Sequence, residues 1–442
     1  MRSPIAEFVE KYANSASSRF HMPGHKGRGV FGIERYDITE ISGADVLYSP
    51  DGIILESENN ATEIFHTGHT FYSTEGSTLA IKAMLALARA NSKSNLILAA
   101  RNAHKAFLYA TALLDIEVRW LYSSRTEHIA AFSITPEEIE REIVSLSEPP
   151  MAIYITTPDY LGGMLDVKGI SEICKKYSIP LLVDNAHGAY LNFTKESLHP
   201  IALGASMCAD SAHKTLSALT GGAYLHIAGE MGEKYIEGAR EYLSLFASTS
   251  PSYLILASLD AQNPYLDGEY RKKLSDTVSK IEIYKDKLRN IGYEILDTEP
   301  LKITVKTTDF GYTGYEISEI LRKNSVECEY ADYAYIVFMC TPENTDLDFE
   351  RLYFTLKSVA TKPKISYCEP RVPHGRFRIS VREALFSEKE AVRVDFALGR
   401  ISAGVSVSCP PAVPLVIAGE EITDEVIALL KFYGVEKISV VK

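Results

Sequence analysis

The middle of the chain alternates between short, continuous apolar runs and longer stretches in which apolar residues recur every three or four positions. Runs of the first kind are typical of buried strands, and stretches of the second kind are typical of helices with one buried face. The predicted strands are Asn95–Ala99, Val118–Tyr122, Ala152–Thr156, Ile179–Asp184, Met207–Ser211 and Ala223–Ile227. The predicted helices are Leu79–Ala90, Ala103–Leu114, Pro136–Leu146 and Val167–Tyr177. Because strands that alternate with helices form a mostly parallel sheet between helical layers, the pattern predicts an α/β fold.

The rest of the chain has other patterns, which predict further domains. The first 60 residues show little periodicity and many Gly, Pro and His residues, as expected of an N-terminal arm or active-site loop. A long helical stretch, Tyr253–Asn290, leads into a smaller α+β domain with strands near Lys302–Lys306 and Tyr335–Met339. The last part of the chain contains a Pro-rich segment, CPPAVP, and is predicted to form a separate C-terminal subdomain. The predicted regions are therefore an arm (1–60), a large domain (61–265), a small α+β domain (266–365) and the C-terminal subdomain (366–442).

Composition narrows the class of protein. A chain of 442 residues exceeds one ordinary domain, and 46% hydrophobic with 24% charged residues excludes a disordered chain. A net charge of −12 argues against a nucleic-acid or anionic-membrane partner. The six cysteines are scattered without metal-ligand spacing, which indicates free thiols, no metal site and a cytoplasmic location. No apolar run approaches the length of a membrane span, and the N-terminus has charges where a signal peptide needs an apolar core.

Two residues at the ends of predicted strands point to the chemistry. Asp184 ends one apolar run, and Lys214 follows the next strand in the sequence Ser211-Ala212-His213-Lys214. In an open α/β sheet, ligands bind at the carboxyl ends of the strands. A lysine amine can form a Schiff base with the aldehyde of pyridoxal phosphate, and a carboxylate against the pyridine nitrogen keeps that ring protonated as an electron sink. The pair therefore predicts a pyridoxal-phosphate enzyme, with the Ser211 hydroxyl and the His213 imidazole near the phosphate.

Two further segments fit the same site, each with a simpler alternative. Ser73–Thr78 directly precedes a predicted helix, and a helix start with hydroxyls and backbone N–H groups binds phosphate. Alone, this segment would be interpreted as an ordinary helix cap; beside a Schiff-base lysine we prefer phosphate binding. His104 follows the strand Asn95–Ala99, where an imidazole can stack on the pyridine ring. A solvent-facing histidine that begins a helix is the alternative, and the residues leave both interpretations open.

These segments resemble those of the Orn/Lys/Arg decarboxylase family, the pyridoxal-phosphate-dependent basic amino-acid decarboxylases of fold type I. The matching segments are Phe20–Gly27 (H-x-P-G-H-K), Gly76–Thr78, Arg101–Lys105 (R-N-x-H-K), Asp184–Ala189 (D-x-A-H-G-A), Ser211–Leu216 (S-x-H-K-T-L), Ser248–Tyr253 (S-T-S-P-S-Y), Pro410–Leu415 (P-P-x-x-P) and Gly419–Glu420. Together they cover nearly the whole chain and are specific, whereas any one alone is not. The length resembles that of the short members, which lack a flavodoxin-like wing domain. The resemblance implies a large domain with a mostly parallel sheet sandwiched by helices, and a smaller α+β C-terminal domain.

The resemblance also implies roles for individual residues. Lys214 would carry the cofactor, Asp184 would pair with the ring nitrogen, His104 would stack on the ring and His187 would line the pocket. The residues implied to hold the phosphate are Gly76, Ser77, Thr78, Ser211 and His213. In the family the S-T-S-P segment reaches the cofactor of a second subunit, so Thr249 or Ser250 is a candidate contact in trans and a homodimer or higher homo-oligomer is expected. The alternative interpretation of Ser248–Pro251 is a turn at a helix boundary.

Three segments depart from the family pattern, and one of them bears on the substrate. Asn185 stands where Glu is frequent, and Gly221 stands where Gln is frequent. The segment Ile41–Tyr48 replaces the usual L-P-G-x-D-D-L-H, and this loop is a candidate for facing the substrate. None of the three removes the residues implied to bind the cofactor.

The expected reaction is loss of CO2 from a basic amino acid, with arginine first, lysine second and ornithine third, in polyamine-related metabolism. A buried acid must read the distal cation of such a substrate. The candidates are Glu383, Asp45, Asp332 and Glu329. The main alternative is a fold-type-I aminotransferase or lyase, in which Arg376 or Arg378 would hold the substrate carboxylate; we prefer surface or inter-domain charge for both arginines. A catalytically silent homologue is the second alternative, against which the intact Lys214, Asp184 and His104 argue.

Overall fold

The computed structural model describes residues 1–123, 128–369, 371–404 and 412–442. The helices are α1 Pro4–Ala13, α2 Ile53–Phe65, α3 Gly76–Ala90, α4 Lys105–Leu114, α5 Pro136–Val144, α6 Val167–Lys176, α7 Ala212–Thr215, α8 Glu233–Ile236, α9 Ala239–Phe246, α10 Tyr253–Asp267, α11 Tyr270–Asn290, α12 Gly314–Lys323, α13 Asp346–Lys357, α14 Val381–Phe386 and α15 Asp424–Phe432. The strands are β1 His69–Ser73, β2 Leu96–Ala100, β3 Glu117–Leu121, β4 Ala152–Thr156, β5 Leu181–Asp184, β6 Met207–Asp210, β7 Ala223–Ile227, β8 Glu294–Ile295, β9 Lys302–Lys306, β10 Tyr330–Ala331, β11 Tyr335–Met339, β12 Lys389–Arg393 and β13 Lys437–Val441.

The chain divides into two compact units, each made of several segments. The first unit comprises Met1–Asn95, Ile143–Thr157 and Val167–Lys272. The second comprises Leu96–Glu142, Pro158–Asp166 and Lys273–Lys442.

In the first unit, five strands form a sheet in the order β1-β7-β6-β5-β4. Strands β4, β5 and β6 are parallel, and β7 runs antiparallel to both of its neighbours. Every residue of β5, β6 and β7 is buried, which explains why these strands appear in the sequence as predominantly apolar runs. Helix α3 packs against β6 and β7. Phe65 of α2 packs against the rings of Tyr224 and His226 on β7.

The second unit contains three small groups of strands. Strands β2 and β3 are parallel neighbours, and β10, β11, β9 and β8 form an antiparallel sheet in that order. Strands β12 and β13 pair antiparallel, and β13 contributes to an apolar core with α15 and the segment from Val413 to Ile422. This small antiparallel C-terminal part is distinct from the α/β region.

The predicted fold class is confirmed. The large sheet is mostly parallel and lies among helices, and four predicted strands (Ala152–Thr156, Ala223–Ile227, Lys302–Lys306 and Tyr335–Met339) agree with the structure to the residue. The ends of the other predicted elements of the α/β region differ by at most three residues, because helix and strand termini depend on caps that periodicity does not show. The predicted helical stretch Tyr253–Asn290 is two helices, separated around Gly268.

The first 65 residues are more ordered than predicted. They contain the helices α1 and α2. Helix α2 was not predicted, because two polar residues, Ser57 and Glu58, lie on its buried face. Their partners explain the burial, since Glu58 Oε1 accepts a hydrogen bond from the Tyr72 backbone N–H at 2.9 Å and Glu58 Oε2 pairs with Arg240 at 2.6 Å. A pattern that counts only apolar residues cannot detect a helix of this kind.

Across the described ranges, no helix is both long and apolar enough to cross a membrane. Cysteines 174, 208, 328, 340 and 368 are free, and Cys409 lies outside the described residues. The same holds for Pro410 and Pro411 of the predicted P-P-x-x-P segment.

Candidate active site

The carboxyl ends of β5 and β6 bring the two residues of the predicted cofactor chemistry together. Strand β5 ends at Asp184, whose register partner on the parallel strand β6 is Ala209. Strand β6 ends one residue before Ser211, and the short helix α7 that follows carries Lys214. The Lys214 ammonium lies close enough to Asp184 to lower the pKa of its carboxyl group. The lysine and the aspartate therefore share one edge of the first unit's sheet.

Asp184 is buried and held by two hydrogen bonds. The backbone N–H of Ala186 donates to Oδ1 at 3.2 Å, and the phenol of Tyr154 donates to Oδ2 at 3.2 Å. Burial raises the pKa of Asp184 above its ordinary value, against the lowering by Lys214 and these donors. The carboxylate thus pays a desolvation cost that a cation or an N–H donor at this strand end would offset. Sequence reasoning missed Tyr154, although a tyrosine inside an apolar strand is expected to have a hydrogen-bond partner.

A second buried carboxylate, Asp210, lies beside this site. It accepts hydrogen bonds from His199 Nε2 at 2.9 Å and from the Asn185 side-chain amide at 2.8 Å, and His226 Nε2 is 3.3 Å away. Burial alone would raise the pKa of Asp210, but the two histidines hold it well below the ordinary range. The departure at position 185 now has a physical reason. A glutamate there would place a second carboxylate against Asp210, whereas the amide donates to it.

The predicted phosphate-binding segments also meet. The Ser211 hydroxyl donates to the Ser77 hydroxyl at 2.9 Å, which joins the end of β6 to the first turn of α3. Gly76 has φ +69° and an added Cβ there would meet nothing within 4 Å, so the turn before α3 leaves open space at the helix start. The N–H groups of a first helical turn have no partner within the helix and are oriented towards an anion. Thr78, in the same turn, is exposed.

Gly221, the second departure, lies directly against this turn. Its carbonyl accepts a hydrogen bond from the Gly76 N–H at 2.7 Å. At φ +98°, a Cβ at position 221 would stand 2.9 Å from the carbonyl oxygen of Thr74. The close approach of the two backbones therefore requires glycine rather than the glutamine that is frequent in the family.

The remaining predicted residues of the first unit have individual positions. His213 is half-buried, its Nδ1 donates to the Gly222 carbonyl at 2.9 Å, and burial lowers its pKa, so the ring is neutral at physiological pH. His187 is buried in the turn after β5. Thr249 and Ser250 are exposed, in a segment where the Ser248 N–H donates to Glu75 Oε1 at 2.7 Å.

His104 belongs to the second unit and is the N-cap of α4. Its Nδ1 accepts a hydrogen bond from the Ala106 N–H at 3.1 Å. A nitrogen that accepts cannot carry a proton, so the neutral ring has its proton on Nε2.

The acids proposed to read a distal cation are largely occupied by structural roles. Asp45 accepts four backbone N–H bonds between residues 46 and 54, which lower its pKa. Asp332 is buried with His128, Tyr330 and two backbone N–H groups. Glu383 forms a capping box at α14, and Glu329 accepts from the Tyr160 hydroxyl at 2.6 Å. Sequence alone could not reveal the distant partners, His128 of Asp332 and Tyr160 of Glu329. The partners of Asp45 and Glu383 lie within nine residues of them along the chain.

The arginines of the aminotransferase alternative are exposed. Arg378 Nε donates to Glu421 Oε2 at 2.8 Å, and Arg376 lies at the surface of the second unit. Their environment agrees with the surface-charge interpretation.

The residues at the edge of the first unit's sheet fit pyridoxal phosphate. They supply a lysine amine, a buried carboxylate for the ring nitrogen, and two hydroxyls at the start of a helix for a phosphate. The open space over Gly76 leaves room for the anion. This donor set matches the three chemical parts of the cofactor, namely the aldehyde, the pyridine ring and the phosphate.

Comparison with known proteins decides the family. The sequence profile of the Orn/Lys/Arg decarboxylase major domain matches residues 3–298, and that of the C-terminal domain of the same family matches residues 373–437. The chain belongs to the Orn/Lys/Arg decarboxylase family. It is thus an enzyme of a family whose members decarboxylate basic amino acids, as the sequence predicted.

Individual relatives agree with this membership. The chain is 29% identical to the arginine decarboxylase of Bacillus subtilis over 97% of this chain and 93% of that protein. It is 27% identical to the arginine decarboxylase of Bacillus cereus over 94% of this chain and 96% of the relative. Among solved structures, the lysine decarboxylase of Francisella novicida superposes with a TM-score of 0.84 at 18% identity, covering 100% of this chain and 81% of that one. At that identity the superposition shows the shared fold.

Proposed function

We propose that this protein is a pyridoxal-phosphate-dependent decarboxylase. Among basic amino acids we expect arginine to be the preferred substrate, with lysine second and ornithine third. The observation that carries the proposal is the electrostatic pairing of Lys214 with the buried Asp184 at adjoining strand ends, in a chain of this family. The arginine decarboxylases among the relatives that match nearly the whole chain support the order of substrates. The products would be the corresponding amine and CO2, which places the reaction at the entry to polyamine-type metabolism in the cytoplasm.

Bound pyridoxal phosphate supplies an electron sink for the pair released when the bond between Cα and the carboxylate breaks. Lys214 Nζ would be the attachment point, and Lys214 or a nearby histidine would supply the proton to Cα. Asp184 would hold the proton on the ring nitrogen, and its burial would strengthen that interaction because a low-dielectric site screens a charge pair least.

The other residues bind and orient. The first turn of α3 with Ser77, Thr78 and Ser211 would hold the phosphate, and His213 would contribute from α7. His187 would line the pocket beside Asp184. His104, whose Nδ1 accepts the cap hydrogen bond, would stack on the ring.

We propose further that a second copy of the chain completes the site. Thr249 and Ser250 are exposed in the S-T-S-P segment, as a contact in trans requires. The unit of function would then be a homodimer or a higher homo-oligomer.

One experiment tests the reaction and the substrate together. Purified protein with pyridoxal phosphate is incubated separately with arginine, lysine and ornithine, and the released amine and CO2 are identified. We expect the amine of arginine to form fastest, and the Lys214→Ala variant to release none. A keto acid in place of an amine would overturn the proposal in favour of an aminotransferase.

A further inference from the structure

A group of buried polar residues in the second unit surrounds the turn that carries His104. The Arg101 guanidinium donates from Nη1 to the Pro414 carbonyl at 2.8 Å and from Nη2 to the Leu415 carbonyl at 3.2 Å. The Lys105 N–H, on the other side of His104, donates to the Ala412 carbonyl at 3.1 Å. The chain segment 412–415 therefore holds the turn at both ends, over a sequence separation of 313 residues for Arg101 and Pro414.

Glu420 is the buried acid of this group. Its side chain is 3% exposed, and its Oε2 accepts from the Ile417 N–H at 2.8 Å. Burial raises the pKa of Glu420, while the charge of Arg101 lowers it, so the two groups act on each other. Within the described part of the chain, Oε1 accepts no hydrogen bond, and a Cβ on Gly375 would stand 1.9 Å from it.

A tyrosine connects the same group to a third segment. Tyr122 OH accepts from the Gly375 N–H at 2.8 Å, and its ring stacks on His374 with centroids 4.0 Å apart. Arg101 and Glu420 both influence the Tyr122 hydroxyl electrostatically. Three segments distant in sequence thus enclose one buried arginine, and the arginine is three residues from His104.

We propose that Arg101 and Glu420 are positioning residues for His104, through which the C-terminal subdomain sets the orientation of that imidazole. A buried arginine that loses its counter-charge must move or recruit water, because an unpaired buried cation is costly. Either response releases the carbonyls of residues 414 and 415 and shifts the turn 101–105. His104 caps α4 from the middle of this turn, so its ring plane moves with it. The inference depends on the role proposed above for His104.

The test uses four proteins of the full chain loaded with pyridoxal phosphate: the wild type, Glu420→Gln, His104→Asn and the double variant. Glutamine keeps an acceptor for the Ile417 N–H but removes the charge, and asparagine keeps the helix cap but removes the imidazole. We expect Glu420→Gln to lower kcat about tenfold with KM little changed, and to alter the visible circular dichroism of the bound cofactor. In the His104→Asn background the same substitution should change kcat less than about twofold, because coupled residues are not additive.

Glu421→Gln is the matched control. Glu421 neighbours Glu420 in sequence but forms an exposed pair with Arg378, so its loss should leave kcat and the dichroism unchanged. If Glu420→Gln lowers kcat by the same factor in both backgrounds, its role is structural and the proposal is wrong. If Glu420→Gln does not fold, Arg101→Lys, which keeps the charge but not the two-pronged contact, carries the same double-variant comparison.

The role of His104 is tested separately from both proposals. If His104→Asn changes neither kcat nor the dichroism while Lys214→Ala is inactive, the decarboxylase assignment stands and the positioning inference falls.

Discussion

Each unit buries an aspartate in a polar environment, and the two aspartates are perturbed in opposite directions. Burial raises the pKa of Asp184 in the first unit, and its neighbours compensate only partly. Asp332 in the second unit is equally hidden, but the hydrogen bond and charge of His128 outweigh burial and lower its pKa. A buried carboxylate whose desolvation cost is only partly offset by neighbouring donors is available to bind a cationic ligand. A buried carboxylate that is fully paired within the protein instead stabilises the fold.

Isosteric substitutions of these two aspartates should separate the two roles, with the largest effect on activity at position 184. Asp184→Asn removes a charge that burial disfavours, so the free energy of unfolding of the cofactor-free protein should not fall. Turnover should fall by at least about 10²-fold, because an amide cannot hold the ring proton. Asp332→Asn should instead cost about 3 kcal/mol of stability, since it breaks a buried pair, and leave kcat per folded molecule unchanged. Urea unfolding and turnover measured on both variants check this; comparable losses of turnover would contradict it.

A new carboxylate at position 185, next to Asp184 in the chain, should show more directly how burial destabilises an acid in the first unit. Asn185→Asp places a carboxylate where the amide now donates to Asp210 at 2.8 Å. Burial and Asp210 would raise the pKa of the new group, so the destabilisation should grow as pH rises above the ordinary aspartate range and reach about 3 kcal/mol.

Asn185→Ala is the control for this variant, because it removes the same donor without adding a charge. It should cost about 1–2 kcal/mol at every pH. Unfolding free energies at acidic and neutral pH distinguish the two variants, and a pH-independent loss in Asn185→Asp would show that charge is not the cause.

The ion pair of His128 and Asp332 in the second unit should stabilise the protein over a limited range of pH. Burial lowers the pKa of His128, but the hydrogen bond and charge of Asp332 outweigh it, so the pKa is raised above 6.5. The contribution of a histidine with a raised pKa is fully present below 6.5 and is lost as pH rises through the folded value. Asp332, with a lowered pKa, contributes above 3.8 and loses this contribution as pH falls. The stability difference between wild type and Asp332→Asn should therefore be greatest at mildly acidic pH and decline on both sides; a flat difference would contradict the pairing.

The smallest expected effect concerns the segment that holds the His104 turn. Ala412 has φ +56°, in the left-handed region that disfavours residues with a Cβ. Ala412→Gly should raise the free energy of unfolding by up to about 1 kcal/mol, because relief of strain exceeds the added entropy of the unfolded chain. Thermal unfolding measures it, with Ala403→Gly, a buried alanine of the same subdomain outside the left-handed region, as a control that should destabilise.

Prediction from the sequence succeeded where the residues that determine a feature are adjacent in the chain. The strand β5 and its terminal Asp184, and the strand β6 followed by Lys214, are readable because buried parallel strands are apolar throughout and their ends place ligand-binding residues. It failed where polar residues are buried. Helix α2 was not predicted, because the polar residues Ser57 and Glu58 lie on its buried face. The contact of Tyr154 was not predicted, because its partner, Asp184, lies on a neighbouring strand.

The acids show the same limit most clearly. From the sequence, Asp45, Asp332, Glu329 and Glu383 were equivalent candidates for a substrate cation. Glu420 was only part of a matching segment, and Asp210 had no predicted role. Only the folded chain shows that Asp45 caps backbone N–H groups, that Asp332 pairs with His128, and that Glu420 is buried near the charge of Arg101.

The amino-acid sequence by itself determined the family, the alternation of strands and helices from β2 to β7, and the positions of a lysine and an aspartate after neighbouring strands, because each of these depends on short contiguous segments. The tertiary structure alone decided which buried acids are paired with neighbouring donors and which are only partly compensated. The reason is physical: the cost of burying a charge depends on the donors around it, and those donors come from parts of the chain that meet only when it folds.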